Sequence, residues 1–306
     1  MLFRSSKGDR INLIAGLRAD HHNYYGIFVT PRLHLRLAWN ENKTVLRASG
    51  GRAWKTANIF AENSSFMASS RNFVLLVSDY RMPYGLKPEI AWNYGINFMQ
   101  KFKLNYREAQ LIFDAYRTDF ENQVVIDIDE DPQKVFIYNL TGASYSNTFQ
   151  SEFIWEARKR LNLRIAYRFV DTRTTYLNGM LPKYLLSRHR AFINVSYESK
   201  NQHWQFDNTI TWNGSKRMPN TEGNPHPYHM ERFSPDYFLV NGQITYKNRE
   251  RSTWEIYLGV ENAMNVQQMH AIVSSEDPFG KYFDASMVWG PIYGRMFYGG
   301  IRFKLK

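Results

Sequence analysis

Hydrophobic and polar residues alternate along most of the chain. The last segment shows the pattern clearly, because its odd positions from Phe297 to Leu305 are apolar or glycine and its even positions include Arg302, Lys304 and Lys306. Side chains alternate between the two faces of a strand, so this segment predicts a strand with one apolar and one polar face. The same alternation predicts about twelve strands in all, at residues 11–18, 32–39, 45–50, 89–98, 108–114, 148–156, 161–169, 190–198, 204–211, 238–246, 254–261 and 297–305.

The connections between these strands favour a barrel that spans a membrane. Short turns and long loops alternate along the chain, with turns at residues 39–44, 102–106, 158–161, 198–203 and 247–252, and loops at 20–30, 54–88, 119–142, 174–187, 214–235 and 262–291. Membrane barrels have short periplasmic turns and long outer loops, whereas a water-soluble sandwich has no reason for this alternation. We therefore predict an all-β, transmembrane, antiparallel up-and-down β-barrel, with Leu163, Ile165, Val195 and Leu258 facing lipid.

Tryptophan positions give a second indication of a membrane barrel. Six tryptophans lie on the apolar faces near predicted strand ends: Trp39, Trp155, Trp204 and Trp254 at one end, and Trp92 and Trp212 at the other. Two belts of aromatic residues are typical of the two membrane interfaces. The alternative is a water-soluble protein whose tryptophans fill its core, which predicts no preference for strand ends.

Composition narrows the possible functions. The 306 residues contain no cysteine, which excludes disulfides, zinc–cysteine sites and thiol catalysis. No apolar run is long enough for a membrane-spanning helix. The net charge of +11 is spread singly along the strands, as at Arg32, His34 and Arg36, rather than clustered. We therefore expect no nucleic-acid partner.

Several segments resemble motifs of the TonB-dependent outer-membrane receptors, in particular those of Bacteroidetes. Residues 16–20 (GLRAD) are similar to the end of one conserved strand of that family, and residues 30–32 (TPR) to the start of the next. Residues 47–52 and 57–63 resemble the segment that ends a strand and begins a loop above the plug. Residues 86–95, 260–265 and 294–300 resemble three further motifs, and all of them occur in the order found in the family.

The resemblance implies a barrel of about 22 strands that is closed by an N-terminal plug domain. Residues 1–306 would then be the C-terminal portion of this barrel, with the plug, the signal peptide and the first strands absent. The resemblance also implies a Gram-negative outer-membrane transporter for the active uptake of a scarce nutrient, such as a ferric siderophore, haem or cobalamin. Its expected partners are outer-membrane lipid, the TonB energy-transducing system acting through the plug, and a small-molecule or metal-chelate ligand. The alternative is a passive porin or structural barrel.

Five arginines are candidates for contact with the plug or the ligand, because we expect them to project into the lumen in the outer half of the wall: Arg18, Arg32, Arg47, Arg52 and Arg295. A cluster of guanidinium groups can attract anionic ligands or bond to polar groups of a plug. We favour contact with the plug.

Two loops contain further candidates. His226, His229 and Met230 are possible ligand contacts in an outer loop, because histidine and methionine can bind copper or haem iron, although their spacing matches no compact metal motif. The acidic run at residues 127–131 could supply oxygen ligands to calcium, but it lacks the glycine of an EF-hand loop. We expect this run to be a solvated loop tip.

Catalytic motifs are missing from the sequence. We find no serine nucleophile elbow, no paired histidine ligands on a helix and no phosphate-binding loop. We therefore expect a protein that is not an enzyme and that has neither a cofactor nor a resident metal ion.

Overall fold

A computed structural model of the chain describes residues 2–7, 10–77, 79–248 and 253–304. The strands in these ranges are β1 Leu2–Lys7, β2 Ile11–His22, β3 Gly26–Trp39, β4 Thr44–Lys55, β5 Asn72–Leu76, β6 Glu89–Leu104, β7 Arg107–Asn122, β8 Val124–Asp127, β9 Lys134–Asn139, β10 Ser144–Arg158, β11 Leu161–Tyr176, β12 Gly179–Pro182, β13 His189–Glu198, β14 Trp204–Asn213, β15 Tyr237–Asn248, β16 Thr253–Glu261 and β17 Met296–Lys304. Within the same ranges, helical structure is limited to an α-helical turn at Ile59–Glu62 and 3₁₀ turns at Ser64–Ala68, Pro83–Gly85 and His226–Tyr228. None of the helices in the described ranges could cross a membrane.

Thirteen strands form one continuous wall. Their order is β1-β2-β3-β4-β6-β7-β10-β11-β13-β14-β15-β16-β17, and each strand is antiparallel to the next, while the short β12 pairs with the end of β11. All twelve predicted strands are present in this wall, and β1 is an additional one. The predicted antiparallel up-and-down fold is therefore confirmed.

The wall has one apolar face that no described element covers. Ile165 is paired with Ile193, which is paired with Ile210, so the three side chains form a row across neighbouring strands. Each is 38–43% exposed, and Leu258 is 67% exposed. A water-soluble sandwich would bury such a row, whereas a membrane barrel presents it to lipid.

Where the structure describes them, the connections at one end of the wall, the turn end, are short as predicted, while most of the turn predicted at residues 247–252 lies outside the described residues. Only Asn105 and Tyr106 connect β6 to β7. Both have positive φ (51° and 62°), and a two-residue turn of this kind matches the right-handed twist of the flanking strands. At the opposite end, the loop end, the prediction of a long loop at residues 20–30 is wrong. Strands β2 and β3 continue to His22 and from Gly26, so only residues 23–25 connect them.

The buried core of the molecule lies at the loop end rather than within the wall. We call residues 56–88, 123–143, 177–188, 214–236 and 262–295 the loop domain. Four of these long loops contribute buried residues to one apolar cluster, whose members include Ile59, Ile128, Ile137, Met218 and Met287. A small sheet in the order β5-β9-β8 crosses this cluster. The loops therefore pack on one another as a folded unit.

Candidate functional site

Arg18 and Arg32 both line a cavity between the loop ends of β2, β3 and β4, which we call the rim cavity. Arg32 is registered opposite Gly16 and its side chain lies across that glycine, where an added Cβ would be 2.8 Å from the guanidinium Nε. Arg18 forms an ion pair with Asp20 at 2.7 Å, and the Trp54 indole donates a hydrogen bond to the same carboxylate at 3.2 Å. The cavity has a volume of about 420 Å³ and is lined by Arg18, Asp20, His22, Thr30, Arg32, Arg52, Ala53, Trp54, Lys55 and Thr56.

Arg47 lies nearer the turn end and lines a different cavity. Its guanidinium donates to Asn97 Oδ1 at 2.7 Å, and the Asn97 amide donates to Asp114 Oδ1 at 2.8 Å. These three residues are directly opposed on adjacent strands, so they form a polar row across β4, β6 and β7. The surrounding cavity of about 620 Å³ also contains His34 and Tyr116.

Arg52 does not leave the same face of β4 as Arg47. The pairing of β4 with β6 continues without a bulge from residue 44 to 55, and the two arginines are five positions apart, so their side chains leave opposite faces. The prediction that both project inward from the strand is therefore wrong. Arg52 still lines the rim cavity, because the pairing of β3 with β4 stops at Gly51. Its guanidinium holds both carboxylate oxygens of Glu121, at 3.0 and 2.6 Å.

Arg295 lies apart from the other four arginines. It precedes β17, and its guanidinium donates to the Ala263 carbonyl at 2.8 Å while its backbone N–H donates to Asn265 Oδ1 at 2.9 Å. These contacts fasten the end of the last long loop to its beginning. The structure therefore brings together three of the five predicted arginines and leaves Arg47 and Arg295 elsewhere.

The loop that contains His226, His229 and Met230 brings only its two histidines close together. The rings of His226 and His229 are 5.4 Å apart, but His229 Nε2 is hydrogen-bonded to the Asn224 carbonyl at 2.7 Å. Met230 packs against the apolar cluster of the loop domain. Within the described ranges, no group of three or more histidine and acidic side chains is arranged to hold a metal ion.

The acidic run at residues 127–131 is not a solvated loop tip, and that prediction is wrong. Asp127 is fully buried and accepts hydrogen bonds from the Tyr138 hydroxyl at 2.9 Å and the Leu177 N–H at 3.0 Å. Asp129 accepts two bonds from Arg217, at 2.7 and 2.9 Å. Burial together with the neighbouring Asp127 carboxylate raises the pKa of Tyr138.

The loop domain contains a second buried ion pair that sequence reasoning missed. Arg71 Nε donates to Asp284 Oδ2 at 2.8 Å, and both side chains are almost inaccessible. The pair joins two loops that are 213 residues apart, and backbone hydrogen bonds from Ser70 to Phe283 and from Ala285 to Ala68 flank it. No local pattern around Arg71 signals a partner at this distance along the chain.

The family of the chain follows from comparison with known proteins. A family model described as "TonB dependent receptor-like, beta-barrel" matches residues 4–263, which is most of the chain. The chain therefore belongs to the TonB-dependent receptors, as part of their β-barrel. A search of curated proteins gave no match.

Solved structures share the fold. The ferric enterobactin receptor PfeA from Pseudomonas aeruginosa superposes with a TM-score of 0.63 at 16% identity, covering 97% of this chain and 43% of that one. The siderophore receptor PirA from Acinetobacter baumannii gives a TM-score of 0.60 at 13% identity, covering 97% and 44%. PirA from Pseudomonas aeruginosa gives 0.58 at 12%, covering 95% and 45%. The chain thus spans less than half the length of these receptors.

Proposed function

We propose that the chain is the barrel portion of a TonB-dependent transporter that actively takes up a scarce nutrient across the outer membrane. The observation that carries this proposal is the family match over most of the wall, together with an exposed apolar face and a polar inner face. The apolar face would contact lipid, and the inner face would surround the transported ligand and the plug. The loop domain would form the part of the receptor that faces the surroundings.

Ferric siderophores are the first ligands to test. Three of the solved structures that share the fold are named as receptors for ferric enterobactin or for siderophores. Haem and cobalamin remain further candidates, because the described loops contain no residue set that selects one metal chelate. Arg18 and Arg32 are well placed to bond either the plug or an anionic ligand, since both line the rim cavity.

Deletion of the gene should identify the nutrient. We expect the deletion strain to lose growth on one ligand of a panel of ferric siderophores, haem and cobalamin, supplied as the sole source at nanomolar concentration. Complementation with the intact gene should restore this growth. A passive porin predicts instead a weak loss of uptake for many small solutes, and that outcome would reject the transporter proposal.

Surface labelling should reveal the orientation of the barrel. An epitope inserted at the exposed Gly223 in the loop domain should bind antibody on intact cells, because long loops face outward in membrane barrels. The same epitope inserted at Lys159, in the turn between β10 and β11, should bind antibody only after permeabilisation. Labelling of the Lys159 insertion on intact cells would reverse the proposed orientation.

A further inference from the structure

Positive charge is distributed unevenly between the two ends of the wall. Three neighbouring hairpins at the turn end, which join β6 to β7, β10 to β11 and β13 to β14, contain seven lysines and arginines against three glutamates within residues 101–108, 156–160 and 198–203. The loop domain is nearly balanced, with eleven basic and twelve acidic residues. An excess of cations therefore distinguishes the turn end from the loop end.

At least one of these cations leaves the wall on its apolar face. Arg158 is registered opposite Leu161, and Leu161 opposite Tyr197, so the three side chains form one row across β10, β11 and β13. Leu161 lies on the same face as Ile165, because the two are four positions apart in one strand. The guanidinium of Arg158 therefore borders the surface that we assign to lipid.

The row lies at the edge of the apolar band. Four residues separate Leu161 from Ile165, which is about 13 Å along a strand. A strand tilt of about 40° reduces this to roughly 10 Å of depth. With Ile165 near the middle of an apolar band about 25 Å tall, Arg158 lies near the edge of the band, where a long basic side chain extends towards the headgroups.

Aromatic side chains mark the same level of the wall. The Tyr197 ring stacks on Phe206 with 6.2 Å between the ring centres, and the Trp155 indole donates a hydrogen bond to the Leu104 carbonyl at 3.3 Å. Trp204, at the start of β14, is exposed beside them. Aromatic residues with one polar end concentrate at the interface between membrane and water. The cations of the hairpins therefore follow directly beyond this interface.

The acidic residues of the three hairpins offset only part of the charge. Glu156 forms an ion pair with Arg107 at 3.6 Å, and Glu108 is registered opposite Lys103. With these two acids counted against their neighbours, five cations remain against Glu198, and we call them the turn-end patch: Lys101, Arg158, Lys159, Arg160 and Lys200. Strands β6 to β14 each have both neighbours in the wall, so the patch lies away from the wall edges at β1 and β17.

We propose that the turn-end patch binds the anionic headgroups of phospholipids in the membrane leaflet at the turn end. Lysine and arginine attract anionic lipid when they lie close to the membrane surface. A phospholipid also has acyl chains, which fit the apolar face that borders Arg158, whereas a soluble acidic partner would have no use for that face. The inference rests on the proposed placement of the wall in a membrane, but not on the transported ligand or on energised uptake.

Quenching of tryptophan fluorescence by brominated lipids tests this inference. The full-length protein is purified from outer membranes and reconstituted into phosphatidylcholine vesicles that contain brominated phosphatidylglycerol or brominated phosphatidylcholine. We expect a preference for phosphatidylglycerol that falls about fivefold or more when three exposed cations of the patch are removed together by Arg158→Gln, Lys159→Gln and Lys200→Gln. The matched control removes three exposed cations of the loop domain by Lys183→Gln, Arg232→Gln and Lys281→Gln, and it should leave the preference unchanged.

Thermal unfolding separates lipid binding from a structural role of the patch. In pure phosphatidylcholine the patch variant should melt at the same temperature as the unsubstituted protein, because exposed charges contribute little to folding. Phosphatidylglycerol should raise the melting temperature of the unsubstituted protein and of the control, but not that of the patch variant.

Three results would overturn the inference: no preference of the unsubstituted protein for phosphatidylglycerol, an unchanged preference in the patch variant, or an equal loss in the control. Each of them leaves the membrane placement intact, since the protein has entered the vesicles. Failure of the protein to enter vesicles of either lipid would instead contradict the placement of the wall in a membrane, and the inference with it.

Discussion

Substitution of Asp129 by asparagine should open the loop domain while leaving the wall folded. Asp129 holds both terminal nitrogens of Arg217 and the Asn220 N–H at 2.7–3.0 Å, and its side chain is 3% exposed. Removing one partner of a buried ion pair leaves an uncompensated charge and costs about 3–5 kcal/mol. We expect hydrogen exchange at residues 124–139 and 217–221 to accelerate strongly, because these segments meet at the pair.

An exposed ion pair of the same loop domain provides the control. Asp79 is paired with Arg81, whose side chain is 90% exposed, so Asp79→Asn should leave hydrogen exchange unchanged. Both variants should retain heat-modifiable migration in gels, since this migration reports whether the wall is folded. Loss of that migration in the Asp129 variant would show that the loop domain and the wall do not fold as separate units.

Substitution of Ile165 by arginine should make the free energy of folding into lipid less favourable by about 2–4 kcal/mol. This is the cost of placing a basic side chain near the middle of a bilayer. Ile165 lies in the exposed apolar row with Ile193 and Ile210. The measurement is the folded fraction after transfer from urea into phosphatidylcholine vesicles, followed by gel mobility.

Thr211→Arg is the matched control for the lipid-facing substitution. Thr211 follows Ile210 in β14, so it has nearly the same depth in the wall but points to the inner face. We expect a much smaller effect there, because the inner face is polar and does not contact lipid. Equal effects of the two substitutions would mean that the wall does not have one lipid face and one polar face.

Sequence reasoning succeeded for the wall because strand alternation is a local pattern. The segment from Leu161 to Phe169 shows its two faces within nine residues, and all twelve such segments are strands of the wall. It failed at residues 20–30, because the polar residues Asp20, His21 and His22 continue β2 beyond the apolar stretch that indicated the strand. Polar strand ends beyond the apolar band carry no signal that separates them from a loop.

The loop domain could not be predicted, because its contacts join distant parts of the chain. The acidic run has the composition of an exposed loop, and only the three-dimensional structure places Asp129 against Arg217, 88 residues away. The prediction for Arg52 is wrong for a different reason, because Arg52 is five positions from Arg47 and strand alternation alone places the two side chains on opposite faces.

Energy dependence of uptake tests the central claim most directly. Cells that carry the gene should accumulate the radiolabelled ligand identified by the growth panel, and a protonophore or loss of the inner-membrane TonB system should abolish accumulation while leaving surface binding intact. The same cells without the gene should neither bind nor accumulate it. Accumulation that continues at an undiminished rate without the energy system would contradict the account and identify a passive pore.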